Sequence, residues 1–151
     1  MEGMQKLITD GQVRSIGLSN FNVKLMKEAI LASEQPICNN QVEYHPFRAR
    51  QEIPQFCKEN DIPLTAYCPL ARGKVLKDPT LNEIGHKYDK SPAQVSLQWL
   101  LQKGAIVIPK TNSQEHLREN MDLDGWDLSN EDIEAIDALS TGQQLVDTIY
   151  T

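Results

Sequence analysis

Short β-prone runs alternate with helix-like segments along the chain, and this alternation leaves few folds open. The four runs cover residues 13–18, 39–43, 63–67 and 105–108. A segment with apolar residues at helical spacing follows each run, and a further helix, Glu2–Thr9, precedes the first. Such alternation predicts an α/β fold built from βα units around a parallel sheet. Because no low-complexity linker divides the units, residues 1–151 are predicted to form one domain.

Polar residues ahead of the helical segments predict where the helices begin. The predicted caps are Ser19-Asn20, Ser91 followed by Pro92, Ser113, and Ser129, which with Asp132 resembles a capping box. Residues 71–90 are predicted to form a longer insertion that contains a short helix.

The composition excludes several classes of protein. Of the 151 residues, 40% are hydrophobic and 24% are charged, as in ordinary globular domains. A net charge of −6 argues against sequence-independent nucleic-acid binding, which needs a basic surface. No apolar stretch approaches the roughly 18 residues of a membrane span, and the N-terminus lacks the features of a secretory signal. The three cysteines have neither disulfide-framework nor zinc-site spacing, so we expect reduced thiols in a cytoplasmic protein without a metal.

Side chains suited to ligand binding follow the β-prone runs, where parallel α/β folds place their sites. They are Ser19-Asn20, Gln41, Tyr67-Cys68 and Lys110-Thr111. The amides of Asn20 and Gln41 suit a carboxamide group, and Tyr67 offers a flat face to an aromatic ring. Lys110-Thr111, just before a helix start, suits a phosphate.

Each of these positions also has a plainer interpretation. Ser19-Asn20 alone is typical of a helix cap, and Gln41 of a polar residue in a barrel interior. Core packing would explain Tyr67 equally well, and Lys110 could be a solvated loop lysine. These alternatives remain open from the residues alone.

The sequence gives no reason to assign a catalytic residue. His45, His86 and His116 lack the spacing of metal ligands or of a catalytic triad. Cys68 is the cysteine nearest to the predicted site, but no neighbouring residue indicates an activated thiol.

Taken together, these segments resemble the C-terminal half of an aldo-keto reductase. The matching residues are 14–21 (RSIGLSNF), 40–46 (NQVEYHP), 63–70 (PLTAYCPL), 91–95 (SPAQV), 108–111 (IPKT), 118–120 (REN) and 127–129 (DLS). The order of the whole series is more specific than any single segment. These segments are similar to those of the 2,5-diketogluconate reductase or small-aldehyde reductase branch of the family.

The resemblance implies a (β/α)8 TIM barrel that transfers a hydride from NADPH to an aldehyde or ketone. By resemblance, Ser19, Asn20 and Gln41 would hold the nicotinamide carboxamide, and Tyr67 would stack on the nicotinamide ring. The other implied cofactor positions are Cys68 and Leu70 near the pyrophosphate, Lys110 and Thr111 at the ribose 2′-phosphate, and Glu119 and Asn120 at the adenosine end.

His116 departs from the family pattern, which has an arginine at this position to clamp the 2′-phosphate. Histidine is only partly protonated near neutral pH and cannot form the guanidinium fork. The resemblance therefore implies NADP(H) as the cofactor and leaves NAD(H) as the alternative.

The resemblance also implies that about half of the barrel is present, as four parallel βα units and a leading helix. The family's catalytic Asp, Tyr, Lys and His lie on earlier strands, and Tyr44 and His45 do not match their pattern. We therefore expect this chain alone to lack the catalytic tetrad and to be inactive.

Four strands cannot close the circle that eight strands close, and open edges invite pairing with another chain. Three alternatives follow: a fragment of a longer reductase, a homodimer that pairs through its strand edges, or a remnant with another role. In the first case a carbonyl compound would be the substrate once the barrel is completed. The rival function is a catalytically inactive half-barrel that serves in binding or assembly.

Overall fold

The strands form one parallel sheet in the computed structural model, which describes residues 1–146. β1 (Ile16–Ser19), β2 (Ile37–Glu43), β3 (Leu64–Tyr67) and β4 (Ala105–Val107) lie side by side in chain order. The helices are α1 (Glu2–Thr9), α2 (Val23–Leu31), α3 (Glu52–Glu59), α4 (Pro79–Tyr88), α5 (Pro92–Gln102), α6 (Gln114–Met121) and α7 (Asn130–Asp137). A 3₁₀ segment, Ala71–Lys77, joins β3 to α4. The predicted alternation of four strands with helices, and one helix in front, is confirmed.

Helices cover one face of the sheet and form the core with it. In β1, Ile16 and Leu18 are buried on this face. Trp99 of α5 has no exposed surface, and its ring centroid lies 5.2 Å from that of Tyr44. Fully burying one large apolar side chain contributes about 1.5–3 kcal/mol. Residues 93–100 of α5 are all buried, so this helix packs on several sides, whereas Leu101 is exposed.

The opposite face of the sheet is exposed to solvent at its two edge strands. Gly17 and Ser19 of β1 are exposed, and Ile106 of β4 is 53% exposed. Within residues 1–146 β1 and β4 do not pair with each other, so both are edge strands of an open sheet. Four strands therefore leave the circle open, as strand geometry requires.

Helix α1 packs weakly against the rest of the chain. None of its residues is buried, and Met4 is 43% exposed. No helix within residues 1–146 combines the length and apolar character needed to cross a bilayer.

Side-chain caps begin most of the helices, with one correction. The oxygen of Asn22 accepts the backbone N–H of Leu25 at 2.9 Å, so Asn22 caps α2 and the predicted cap at Ser19-Asn20 is wrong. The predicted caps at Ser91, Ser113 and Ser129 are confirmed.

Asp132 fastens α7 to α4 through two hydrogen bonds and accepts a third from the cap of its own helix. Its carboxylate accepts from Lys87 Nζ at 2.6 Å, Tyr88 Oη at 2.6 Å and Ser129 Oγ at 2.8 Å. Burial would raise the pKa of Asp132, but these hydrogen bonds outweigh it and lower the pKa. The carboxylate therefore does not reach back to the N–H of Ser129 as a full capping box would, and that N–H donates to Tyr88.

Close backbone packing joins the end of α4 to the start of α5. Gly85 lies directly against the backbone carbonyl of Lys90, where a Cβ atom would clash. A glycine is required at this position for space rather than for its backbone conformation.

Candidate functional site

The carboxyl ends of β1, β2 and β3 bring three of the predicted residues, Ser19, Gln41 and Tyr67, to the same edge of the sheet. The Cα of Ser19 pairs with that of Gln41, and the Cα of Glu43 pairs with that of Tyr67. The neighbouring Asn20 donates its backbone N–H to the carbonyl of Gln41 at 2.8 Å. We call this group, Ser19, Asn20, Gln41 and Tyr67, the amide edge.

Asn20 is held in a defined orientation. Its backbone has a φ of 60°, in the left-handed region that asparagine tolerates better than most residues. Its Oδ1 accepts from Tyr67 Oη at 2.9 Å, and its Nδ2 donates to Ser19 Oγ at 3.0 Å. Because the tyrosine hydroxyl donates to one end of the amide, the direction of the amide is fixed.

Gln41 has a free side-chain amide. It is half-buried, and no hydrogen bond among residues 1–146 uses its side chain. An amide has both donor and acceptor groups, so Gln41 together with the remaining N–H of Asn20 can bind a ligand carboxamide.

Tyr67 is half-buried at the end of β3. Burial raises its pKa, and the negative charge of Glu43 raises it further. The hydroxyl therefore stays protonated as a donor to Asn20, while the ring remains available for contact with a planar group.

Beside the amide edge lies a buried charged cluster that the sequence analysis did not identify. Glu43, with its side chain 3% exposed, accepts from His45 Nε2 at 3.2 Å and lies 4.0 Å from Arg48 Nε. Burial lowers the pKa of His45, although the hydrogen bond to Glu43 opposes this, so the imidazole is neutral at pH 7. The sequence signal for this cluster is a glutamate at the end of a predicted strand, directly after the apolar Val42, where a buried charge would need partners.

A small pocket separates the cluster from the amide edge. Asn20, Tyr67, Glu43 and Arg48 are among its lining residues, and its volume is about 20 Å³. That volume holds about one water molecule. The pocket is therefore too small for a planar ring, which could contact these residues only over the open edge.

The predicted phosphate-binding residues follow β4. Ile108 N–H donates to the carbonyl of Ala66 in β3 at 3.4 Å, which brings the β4 end to the same side of the sheet. Lys110 is exposed, whereas Thr111 Oγ1 already accepts the backbone N–H of Ser113 at 3.0 Å. Lys110 thus provides a solvent-accessible cation at this point.

The remaining predicted cofactor residues follow β3 or lie on α6. Cys68 is half-buried after β3, with a φ of 55°, and Leu70 is half-buried ahead of the 3₁₀ segment. On α6, His116 is exposed and Glu119 half-buried, while Asn120 is 6% exposed. Their roles stay predictions.

Comparisons with known proteins identify the family and the fold. Residues 1–141 match the Aldo/keto reductase family. Glyoxal reductase of Bacillus subtilis is 39% identical over 94% of this chain and 51% of its own length. Aldose reductase B of Dictyostelium discoideum is 39% identical over 91% of this chain and 45% of its own.

Solved structures give the same result. A candidate 2,5-diketo-D-gluconic acid reductase B superposes with a TM-score of 0.90 at 36% identity, over 97% of this chain and 55% of that one. An aldo-keto reductase solved with NADPH superposes with a TM-score of 0.88 at 28% identity, over 96% and 48% of the two chains. This chain spans about half the length of the relatives that it matches. The predicted family and fold are confirmed: the chain belongs to the aldo/keto reductase family and contains four of the parallel strands of its TIM-barrel fold.

Proposed function

We propose that this chain provides the cofactor-binding loops of an NADP(H)-dependent reductase that transfers a hydride to an aldehyde or ketone. The observation that carries this proposal is the amide edge. There the side-chain amide of Asn20 is held in one orientation, and the side-chain amide of Gln41 makes no hydrogen bond among residues 1–146. A nicotinamide carboxamide has the complementary donor and acceptor groups.

The chain's own residues would bind and orient the cofactor. Gln41 and Asn20 would hold the carboxamide and thereby fix the rotation of the ring, and the Tyr67 ring would support one face of it. Lys110, an exposed cation on the same side of the sheet, would bind a phosphate. When bound, the cofactor supplies the hydride.

NADP(H) is the proposed cofactor and NAD(H) the alternative. Lys110 offers a positive charge to a 2′-phosphate, but the exposed His116 provides only a weak second cation at pH 7. An aldo-keto reductase with bound NADPH among the structural neighbours supports the choice. We infer a cytoplasmic location from the three free cysteines, which suit a reducing compartment.

We further propose that catalysis requires a completed barrel. The edge strands β1 and β4 have unpaired backbone groups, and Ile106 of β4 and Ile108 just after it are 53% and 45% exposed. Four further βα units, of the kind that make up the other half of the relatives, would cover these surfaces and supply the catalytic tetrad. A second copy of this chain could also pair with the edges, but it would duplicate the cofactor side without adding that tetrad.

Isothermal titration with NADPH tests the proposal, on this chain alone and on the chain joined to the four further βα units proposed above, which we call the missing units. The joined protein is expected to bind NADPH and to reduce a generic aldehyde, and Lys110→Ala should weaken binding while Lys58→Ala should not. Lys58 is another exposed lysine, in the last turn of α3 and away from the amide edge. Reduction of the aldehyde by this chain alone would show that the proposed requirement for a completed barrel is wrong.

The exposed Ile106 and Ile108, in and just after β4, favour one rival, an inactive half-barrel that serves in assembly. A protein that serves only in assembly would not require a Gln41 side-chain amide that is free to bind a ligand. Mass measurement in solution separates the two functions, because a stable oligomer that is inactive and indifferent to Lys110→Ala would support the rival.

A further inference from the structure

Glu43, the last residue of β2, is a buried carboxylate with partners far away in the sequence. Its Oε1 accepts the backbone N–H of Leu145 at 2.7 Å, and its Oε2 accepts that of Val146 at 3.3 Å. His45 and Arg48 contact the same carboxylate. A buried charge persists only when it is paired and hydrogen-bonded, so these contacts account for its place in the core.

The segment that Glu43 holds is attached along its length to the loop after β2. We call residues 140–146 the C-terminal strap. The carbonyl of Phe47 accepts the N–H groups of Thr141 and Gln143 at 3.2 and 3.1 Å. The hydroxyl of Ser140 accepts the N–H of Ala49 at 3.0 Å.

The two ends of the strap are held by different contacts. Ser140 begins it beside Ala49, whereas Leu145 and Val146 end it on Glu43. Leu145 is half-buried and packs against the hydrophobic core, which adds an apolar contact at the same end. Removal of the Glu43 charge should therefore release the far end of the strap and leave its start attached.

The fastening point lies next to the amide edge. The Cα of Glu43 pairs with that of Tyr67, and Glu43 lines the same small pocket as Asn20 and Tyr67. We propose that Glu43 is a positioning residue that fastens the C-terminal strap beside the nicotinamide-binding residues and thereby slows cofactor release. The part of this proposal that concerns the cofactor rests on the proposed function.

Two variants test the fastening. Glu43→Gln keeps the shape but replaces one acceptor oxygen by a donor group, and Ser140→Ala loosens the other end of the strap without changing the charged cluster. In Glu43→Gln we expect the amides of Leu145 and Val146 to exchange with solvent at least about tenfold faster, because hydrogen bonds to charged groups are the stronger ones. Glu34→Gln, an exposed carboxylate before the amino end of β2, is the matched control and should leave these rates unchanged.

Amides in α5 distinguish release of the strap from general destabilisation. They should keep the wild-type exchange rates in both variants, and a uniform rise across the chain would overturn the positioning role. Ser140→Ala should speed exchange at Thr141 and Gln143, and unchanged rates there would contradict the attachment described above.

Stopped-flow dissociation of NADPH from the chain joined to the missing units completes the test. We expect faster release from Glu43→Gln than from wild type and Glu34→Gln. Faster exchange at Leu145 and Val146 with unchanged NADPH release would overturn the link to the cofactor. Failure of the wild-type protein to bind NADPH would contradict the proposed function, while the exchange rates would still decide whether Glu43 holds the strap.

Discussion

Removal of one hydroxyl at the amide edge should weaken cofactor binding by a small and calculable amount. Tyr67→Phe keeps the ring but deletes the 2.9 Å hydrogen bond from Tyr67 Oη to Asn20 Oδ1. Without it the Asn20 amide retains only its contact with Ser19 and is free to turn. The variant thus separates orientation of the amide from contact with the ring.

The magnitude follows from what that bond contributes. A net hydrogen bond between neutral groups stabilises by about 0.5–1.5 kcal/mol, and ordering one free side chain on binding costs about the same. If cofactor binding must restore the orientation of Asn20, its dissociation constant should rise roughly two- to tenfold. The free energy of unfolding should fall by about 0.5–1.5 kcal/mol.

Fluorescence titration with NADPH and urea unfolding measure these two quantities in the chain joined to the missing units. Tyr88→Phe is the matched control, because it deletes a hydroxyl that bonds Asp132 at 2.6 Å, away from the amide edge. This control should lose stability but keep its affinity for NADPH. An unchanged dissociation constant in Tyr67→Phe, with stability reduced, would refute the reasoning that a fixed Asn20 amide aids binding.

Three further results are expected. Gly85→Ala should lower the free energy of unfolding, measured in urea, by about 1–3 kcal/mol, because the added Cβ meets a backbone carbonyl. Gly3→Ala, in helix α1 where the added Cβ meets no other atom, should raise it by about 0.5–1 kcal/mol. Equal effects of the two substitutions would contradict the packing described. Burial lowers the pKa of His45, so the unfolded chain binds a proton at this residue more readily than the folded chain does. The free energy of unfolding in urea should therefore decrease as the pH falls below 6.5, the ordinary pKa of histidine. A urea midpoint that does not change between pH 7.5 and 5.5 would contradict this. Burial raises the pKa of Cys57 to about 11, so at pH 8 a thiol reagent should label the exposed Cys38 well before Cys57, and equal rates would show that Cys57 is accessible.

Local signals predicted much of the fold correctly. The helix starts at Ser91, Ser113 and Ser129 were predictable because a cap depends on a hydrogen bond between residues only three positions apart in the sequence. The order of strands and helices was predictable because hydrophobic periodicity is likewise a local property.

The cap predicted at Ser19-Asn20 failed because a distant residue competes for the side chain. Asn20 bonds Tyr67, 47 positions away, and Asn22 takes over the capping role. The same competition makes Asn20 part of the amide edge, so the error falls at the candidate site.

The candidate site could be predicted only where it follows strand ends. Glu43 meets Leu145 and Val146 across more than 100 positions, and no spacing in the sequence indicates that contact. The roles of Lys110 and His116 depend on a bound nucleotide and therefore stay predictions.

The central claim, that the amide edge binds the nicotinamide carboxamide, is tested most directly by NMR of the side-chain amides of Asn20 and Gln41 during titration with NADPH. We predict that the side-chain NH2 signals of both residues shift along with nucleotide binding, in the chain joined to the missing units, and that reduced nicotinamide mononucleotide alone shifts them as well. Binding of NADPH that leaves both side-chain signals unmoved would contradict the claim.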